Sequence, residues 1–319
     1  MRVRRGYAGV VLAGVVTVIA ATGMAGTLGG GEHRRHAAAK PAKSAKFRPV
    51  PTRLPSPDSV VTGGAGAGPS PAVPAGTDHP LVIAHRGGAA LAPENSMAAF
   101  RRGVSLGVDL LELDLHETAD HRAVVAHDPV VEPRLCAGPP VRRRWEELTT
   151  GQVRRLDCHG APPPFLDDVL ALLAANPRVG AMIETKTLGE PAARNTSLTR
   201  LLVAGARQYG VAGRVTVQSF DWRTFAVPEL RASGMRMAAL SSRGGDVAAA
   251  RATGATVYAP DFHTVLADPG EVAAAHQAGM AVWVWTVDAA GDLRRMLAAQ
   301  VDGIITDQPD RLLALENRG

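Results

Sequence analysis

Val108-Asp109-Leu110-Leu111-Glu112-Leu113-Asp114-Leu115 is the stretch that decides the architecture. Side chains alternate along a strand, so Glu112 and Asp114 point to the same face. Two carboxylates on one face make a site for a hard divalent cation. Two other short apolar runs end in comparable chemistry: Leu81–Ala84 leads into His85-Arg86-Gly87, and Ala123–Ala126 into His127-Asp128. Two acids, two histidines and an arginine at strand ends point to a metal-assisted reaction on a phosphate ester.

Outward from that strand, β-rich apolar runs alternate with helical patterns, which is the signature of a parallel α/β architecture. The expected strands are Leu81–His85, Asp109–Leu115, Gly180–Glu184, Arg214–Ser219, Met235–Leu240, Ala255–Ala259, Ala281–Thr286 and Gly303–Thr306. Expected helices between them include Asn95–Leu106, Leu166–Ala175, Leu198–Tyr209 and Asp221–Ala232, followed by Val247–Thr253, Pro269–Ala278 and Leu293–Ala299. Eight strands with intervening helices match a TIM (β/α)8 barrel, whose sites lie at the carboxyl ends of the strands. Ala123–His127 breaks the alternation, because the gap after Leu115 is too short for a parallel crossover. It reads as a hairpin return, a small insertion after the second strand, that brings His127 to face Asp114.

The chain has 319 residues and a formal net charge of +5. That charge belongs to the amino-terminal part. Residues 1–78 hold 10 basic and 3 acidic side chains, a net +7, and the remainder holds 25 and 27, a net −2. The basic balance therefore gives no reason to expect a nucleic-acid partner. Arg2, Arg4 and Arg5 precede an apolar run over Tyr7–Leu28, the layout of a secretory signal, or of an uncleaved anchor given its length. Residues 31–78 read as a linker rich in Pro, Ala, Gly and basic residues, unable to bury enough surface to fold. The organisation expected is thus signal or anchor (1–30), linker (31–78) and globular domain (79–319). Its location is secreted or attached to the cell envelope, with the basic linker in contact with an anionic envelope or membrane. In an exported chain, the two cysteines, Cys136 and Cys158, read as one disulfide.

The ordered motifs resemble the glycerophosphodiester phosphodiesterase family. They are His85-Arg86-Gly87, Pro93-Glu94-Asn95-Ser96, Glu112-Leu113-Asp114, His127-Asp128, Glu184-Thr185-Lys186, Gln218-Ser219-Phe220, Trp285-Thr286-Val287 and Asp302 to Asp307. The resemblance runs from about Leu81 to Pro309. It implies a TIM barrel that hydrolyses glycerophosphodiesters to sn-glycerol 3-phosphate and an alcohol. It also implies a divalent cation, Ca2+ or Mg2+, held by Glu112, Asp114 and Glu184, with His85 and His127 as the acid/base pair. Arg86 and Lys186 match the phosphate-contacting cations. Three positions depart from the family pattern: Ser96 for threonine, Thr185 for an aliphatic residue, and Asp288 for an asparagine.

Oxygen-only ligands suit Ca2+ or Mg2+ better than zinc. The histidines titrate in the range needed for proton transfer. The nucleophile is either the glycerol 2-hydroxyl, through a cyclic phosphate, or water, and the residues leave both open. Trp285 is a candidate for the glycerol pocket, while Glu94 and Asn95 read as helix-capping residues. His116 is assigned to the surface or a loop. The competing functions are a phospholipase acting on intact lipids, for which Trp145 in a basic loop is weak support, and a non-enzymatic envelope-binding protein. The chain is expected to act as a monomer on a small-molecule substrate.

Overall fold

A computed structural model of the protein describes residues 79–318, so the expected export segment (1–30) and linker (31–78) lie outside the described residues. Nine strands form among the described residues: β1 (Leu81–Ala84), β2 (Leu110–Glu117), β3 (Ala123–Val125), β4 (Gly180–Thr185), β5 (Val215–Ser219), β6 (Arg236–Ser241), β7 (Val257–Pro260), β8 (Ala281–Val284) and β9 (Gly303–Thr306). Eight of them run parallel, and β1 pairs with both β2 and β9, which closes the ring. Ile83 sits opposite Leu110 on one side and Ile305 on the other. β3 stands outside the ring, antiparallel to the end of β2, with Leu115 opposite Val125. This is the expected hairpin return on a closed (β/α)8 barrel.

The alternation along β2 separates two apolar layers. Leu111, Leu113 and Leu115 face outward and pack with the surrounding helices, whereas Leu110 joins Ile83, Met182, Val257, Trp283 and Ile305 inside the ring. Above that interior packing, register sets the polar row: Asp114 lies opposite Glu184, and Glu184 opposite Gln218. The apolar plug thus ends where the carboxylates begin, at the carboxyl ends of the strands.

The helices are α1 (Met97–Leu106), α2 (Thr150–Val153), α3 (Leu166–Ala175), α4 (Ala192–Gln208), α5 (Pro228–Arg231), α6 (Val247–Ala252), α7 (Phe262–Ala267), α8 (Gly270–Gln277), α9 (Ala290–Ala298) and α10 (Pro309–Leu315). Two differ from expectation for identifiable reasons. α4 begins six residues before Leu198, directly after Pro191. The continuous helix expected over Asp221–Ala232 is instead a 3-10 segment, Trp222–Ala226, followed by α5, because Val227 is extended before Pro228. α2, α7 and α10 lie outside the expected helices, although Pro309 at the first turn of α10 is a start signal.

Between β3 and α3 the chain builds a small satellite core from Val124, Val131, Trp145, Leu148, Val153 and Phe165. Cys136 and Cys158 form the expected disulfide across it, beside the antiparallel bridge of Ala137 and Asp157. Trp145 is buried in this core and its Nε1 donates to the Asp128 carbonyl at 2.8 Å, so it is not the exposed aromatic that a lipid-surface reading wanted.

Candidate active site

Every expected charged site residue meets in one cavity at the barrel mouth. Its volume is about 120 Å3, and it is lined by His85, Arg86, Glu112, Asp114, His127, Glu184 and Lys186 together with Gln218, Phe220 and Trp285. Ligand oxygens of Glu112, Asp114 and Glu184 lie within 4.8 Å of one another, and all three residues are buried. Burial first, and the neighbouring Asp114 charge second, push Glu112 up to about 7 and Glu184 up to about 8. Burial acts upward on Asp114 as well, yet Lys186 and Arg86 outweigh it and hold this carboxyl at about 2. Three crowded carboxylates with only oxygen donors fit a hard divalent cation, which would relieve the repulsion that raises the two glutamates. Gln218 adds to that fit. Its Nε2 donates to Glu112 Oε1 at 2.7 Å, and its own buried Oε1 has no hydrogen-bond partner.

The histidines are held from behind. His85 Nδ1 lies 2.6 Å from Asp307 Oδ1, and His127 Nδ1 lies 2.8 Å from Asp128 Oδ1, which leaves each Nε2 as the end available to a substrate. Burial lowers both imidazoles, but at His85 the Asp307 hydrogen bond and the Glu112 charge overcome it and the net shift is upward. At His127 burial prevails and the net shift is downward. His116, expected on the surface, is instead a buried β2 residue. Its Nε2–H donates to the His127 carbonyl at 3.1 Å and ties the hairpin return to the barrel strand.

Arg86 follows β1 with φ 49°, in the left-handed region that non-glycine residues seldom adopt. The adjoining Gly87 explains the tight turn, since a Cβ there would lie 2.8 Å from the Ala99 Cβ on α1. In this conformation the Arg86 N–H donates to Glu112 Oε2 at 2.9 Å, and Nη1 donates to Glu94 Oε1 at 2.9 Å. Arg86 Nε is buried without a hydrogen-bond partner, 3.6 Å from Asp114 Oδ2. Lys186 Nζ stands 3.1 Å from Glu184 and 3.7 Å from Asp114. Two cations beside the carboxylates, one with an unused donor, leave room for a phosphate anion.

The opposite wall is apolar. Phe220 and Trp285 pack edge to face with ring centroids 5.4 Å apart, and Trp285 Nε1 donates to the Ala259 carbonyl at 2.8 Å. Neither Glu94 nor Asn95 caps α1, because Ser96 does so by accepting from the Ala99 N–H at 3.1 Å. Asn95 instead donates to Asp114 Oδ2 at 2.9 Å. Asp288 accepts from the Asp307 N–H at 2.8 Å and so steadies the carboxylate behind His85. Thr185 faces outward and bonds Ser219 and Thr224 at 3.1 Å, so this departure from the family pattern leaves the site intact.

Comparison with known proteins agrees with this geometry. The model of the Glycerophosphoryl diester phosphodiesterase family matches residues 85–311. A glycerophosphodiester phosphodiesterase of Caldanaerobacter subterraneus subsp. tengcongensis is 30% identical over 250 residues, covering 75% of this chain and 98% of its own. Among solved structures, a glycerophosphodiester phosphodiesterase from Agrobacterium tumefaciens str. C58 is 26% identical with a TM-score of 0.59, covering 73% of this chain and 98% of its own. One from Parabacteroides distasonis, 23% identical with a TM-score of 0.68, covers 76% and 98% and shares the fold. With the family model matching the chain from His85 into the last helix, the chain belongs to the glycerophosphoryl diester phosphodiesterase family, a family of phosphoric diester hydrolases.

Proposed function

We propose that the protein hydrolyses glycerophosphodiesters to sn-glycerol 3-phosphate and an alcohol, with the help of a divalent cation. The observation that carries this reading is the meeting of three carboxylates, two backed histidines, Arg86 and Lys186 around one small cavity. Glu112, Asp114 and Glu184 would hold Ca2+ or Mg2+, which when bound supplies charge neutralisation at the phosphate and a lowered barrier to ionising the attacking hydroxyl. Arg86 Nε and Lys186 Nζ bind the phosphate oxygens, and the Phe220–Trp285 wall takes the glycerol carbons. His85 and His127 divide the proton work, one removing the nucleophile's proton and the other protonating the departing alkoxide. Asp307 and Asp128 hold both rings in the orientation this requires.

The same reading extends to the whole chain. Residues 1–30 direct export or anchoring, 31–78 tether the domain near an anionic envelope, and 79–319 perform catalysis as a monomer outside the cytoplasm. The Cys136–Cys158 disulfide supports the oxidising location.

The test is release of glycerol 3-phosphate from glycerophosphocholine by the full chain, after EDTA treatment and after addition of Ca2+ or Mg2+. Cation-dependent release is expected, lowered by about 10²-fold or more in His85→Ala and in His127→Ala. Undiminished release in both folded variants would overturn the assignment.

A further inference from the structure

A second cavity adjoins the active site, and no part of the mechanism uses it. It has a volume of about 230 Å3 and lies between the start of α1, the hairpin return and the disulfide-closed insertion. Met97, Ala98, Val125, Val130, Leu135 and Pro163 give it a mainly apolar lining. The two cavities share a wall. His127 lines both, and across that wall Arg86 pairs with Glu94 while Asn95 donates to Asp114.

We propose that this cavity is the subsite for the alcohol part of the substrate, and that it selects glycerophosphodiesters whose alcohol carries a neutral apolar body. The inference rests on the activity proposed above and adds the substrate class. The active-site cavity, at about 120 Å3, has room for the phosphate and a three-carbon glycerol against Phe220 and Trp285. The second phosphate substituent must therefore leave that space, and His127 is the lining residue that the two cavities share. A cavity of roughly 150 Å3 lined by aliphatic side chains accommodates benzene, so 230 Å3 suffices for a substituted ring or a short chain.

Charge decides the class of alcohol. The acids on the wall already have partners: Glu94 pairs with Arg86 at 2.9 Å, Asp128 accepts from His127 Nδ1 at 2.8 Å, and Asp128 and Glu132 share Arg134 at 3.2 and 3.9 Å. The other ionisable groups there, Arg101 and His159, are basic. Trp145 is the one Trp, Tyr or Phe side chain among the lining residues, and a single indole does not make the aromatic cage that a quaternary ammonium needs. An apolar alcohol gains from this pocket by desolvation, whereas ethanolamine or choline meets only carboxylates that already hold partners.

The experiment compares kcat/KM of the cation-loaded full chain on the glycerophosphodiesters of 2-phenylethanol and of ethanolamine, with lysophosphatidylethanolamine as a third substrate. Ala98 is exposed on α1, so Ala98→Trp fills the pocket without entering the core. The wild type is expected to favour the phenylethyl diester by about tenfold, and Ala98→Trp to remove that preference by lowering phenylethyl diester turnover about tenfold more than ethanolamine diester turnover. Free 2-phenylethanol is expected to inhibit the wild type more strongly than free ethanolamine, a reading that needs no variant. Equal kcat/KM on both diesters, or an equal loss on both in Ala98→Trp, overturns the subsite while leaving the activity standing. Loss confined to the lysolipid would place an acyl chain in the cavity and also overturn it. Absence of turnover on all three substrates would overturn the activity itself.

Discussion

His116 shows how a single side chain couples the site to stability. It is buried on β2, and burial depresses its imidazole to about 4 against an ordinary 6.5, although the His127 carbonyl that it donates to pulls the other way. Between those two values the unfolded chain binds a proton that the folded chain refuses. Stability is therefore fully present above pH 6.5 and falls as pH drops toward 4, by about 3 kcal/mol from this group. Urea unfolding of wild type and His116→Asn across that range isolates the effect, because the other titrations cancel in the difference. A difference that does not vary with pH would show that the imidazole is not held neutral. The residues at 85, 112, 114, 127, 184 and 186 stood out in the sequence by type, and they line one cavity. His116 did not, because a histidine at strand spacing reads the same whether it faces solvent or a carbonyl returning from the next hairpin. Asn95 is a parallel case. Its place before a helix suggested a cap, but the adjacent Ser96 takes the cap and the Asn95 amide reaches Asp114 from a residue backbone at φ 53°.

Among the elements, β9 packs closely against the barrel interior. A Cβ at Gly303 would lie 2.7 Å from Trp283 Cδ1, and that indole is completely buried. Gly303→Ala is expected to cost about 1–3 kcal/mol by overpacking, read as a lower urea midpoint with an unchanged slope. A shift smaller than about 0.5 kcal/mol would mean that the indole has room to move. The insertion depends on a different device. The Cys136–Cys158 bridge closes a sequence separation of 22 residues over a small satellite core, which by chain entropy is worth about 3 kcal/mol. Cys136→Ser with Cys158→Ser is expected to raise hydrogen exchange in the insertion before the barrel strands respond. Uniform loss of protection throughout the domain would instead make the insertion part of the cooperative barrel core.

Linkage between cation and fold is a property of the whole molecule. Without a cation, Glu112 and Glu184 titrate near 7 and 8, above the ordinary 4.5, so the folded state keeps protons that the unfolded state has lost. Stability from these two groups is fully present below pH 4.5 and is lost as pH rises to about 8. A divalent cation held by the three carboxylates would take the place of those protons. The rise in Tm on adding Ca2+ or Mg2+ is therefore expected to be larger at pH 8.5 than at pH 5.5, measured by calorimetry on the same protein. An equal rise at both values would place the cation elsewhere.

The sequence by itself determined the closed (β/α)8 plan, the hairpin return, the disulfide and which charged residues meet at the barrel mouth. Each follows from local information: period-two alternation, gap length, cysteine number and residue chemistry. The tertiary structure alone decided which partners stand behind those groups. Asp307 reaches His85 from the opposite end of the domain, 222 positions away, and Gln218 reaches Glu112 across 106. It also decided that the insertion folds beside α1 to leave an apolar cavity against His127. Barrel closure brings the last strand beside the first, and contacts made by closure carry no periodicity along the chain from which they could be read.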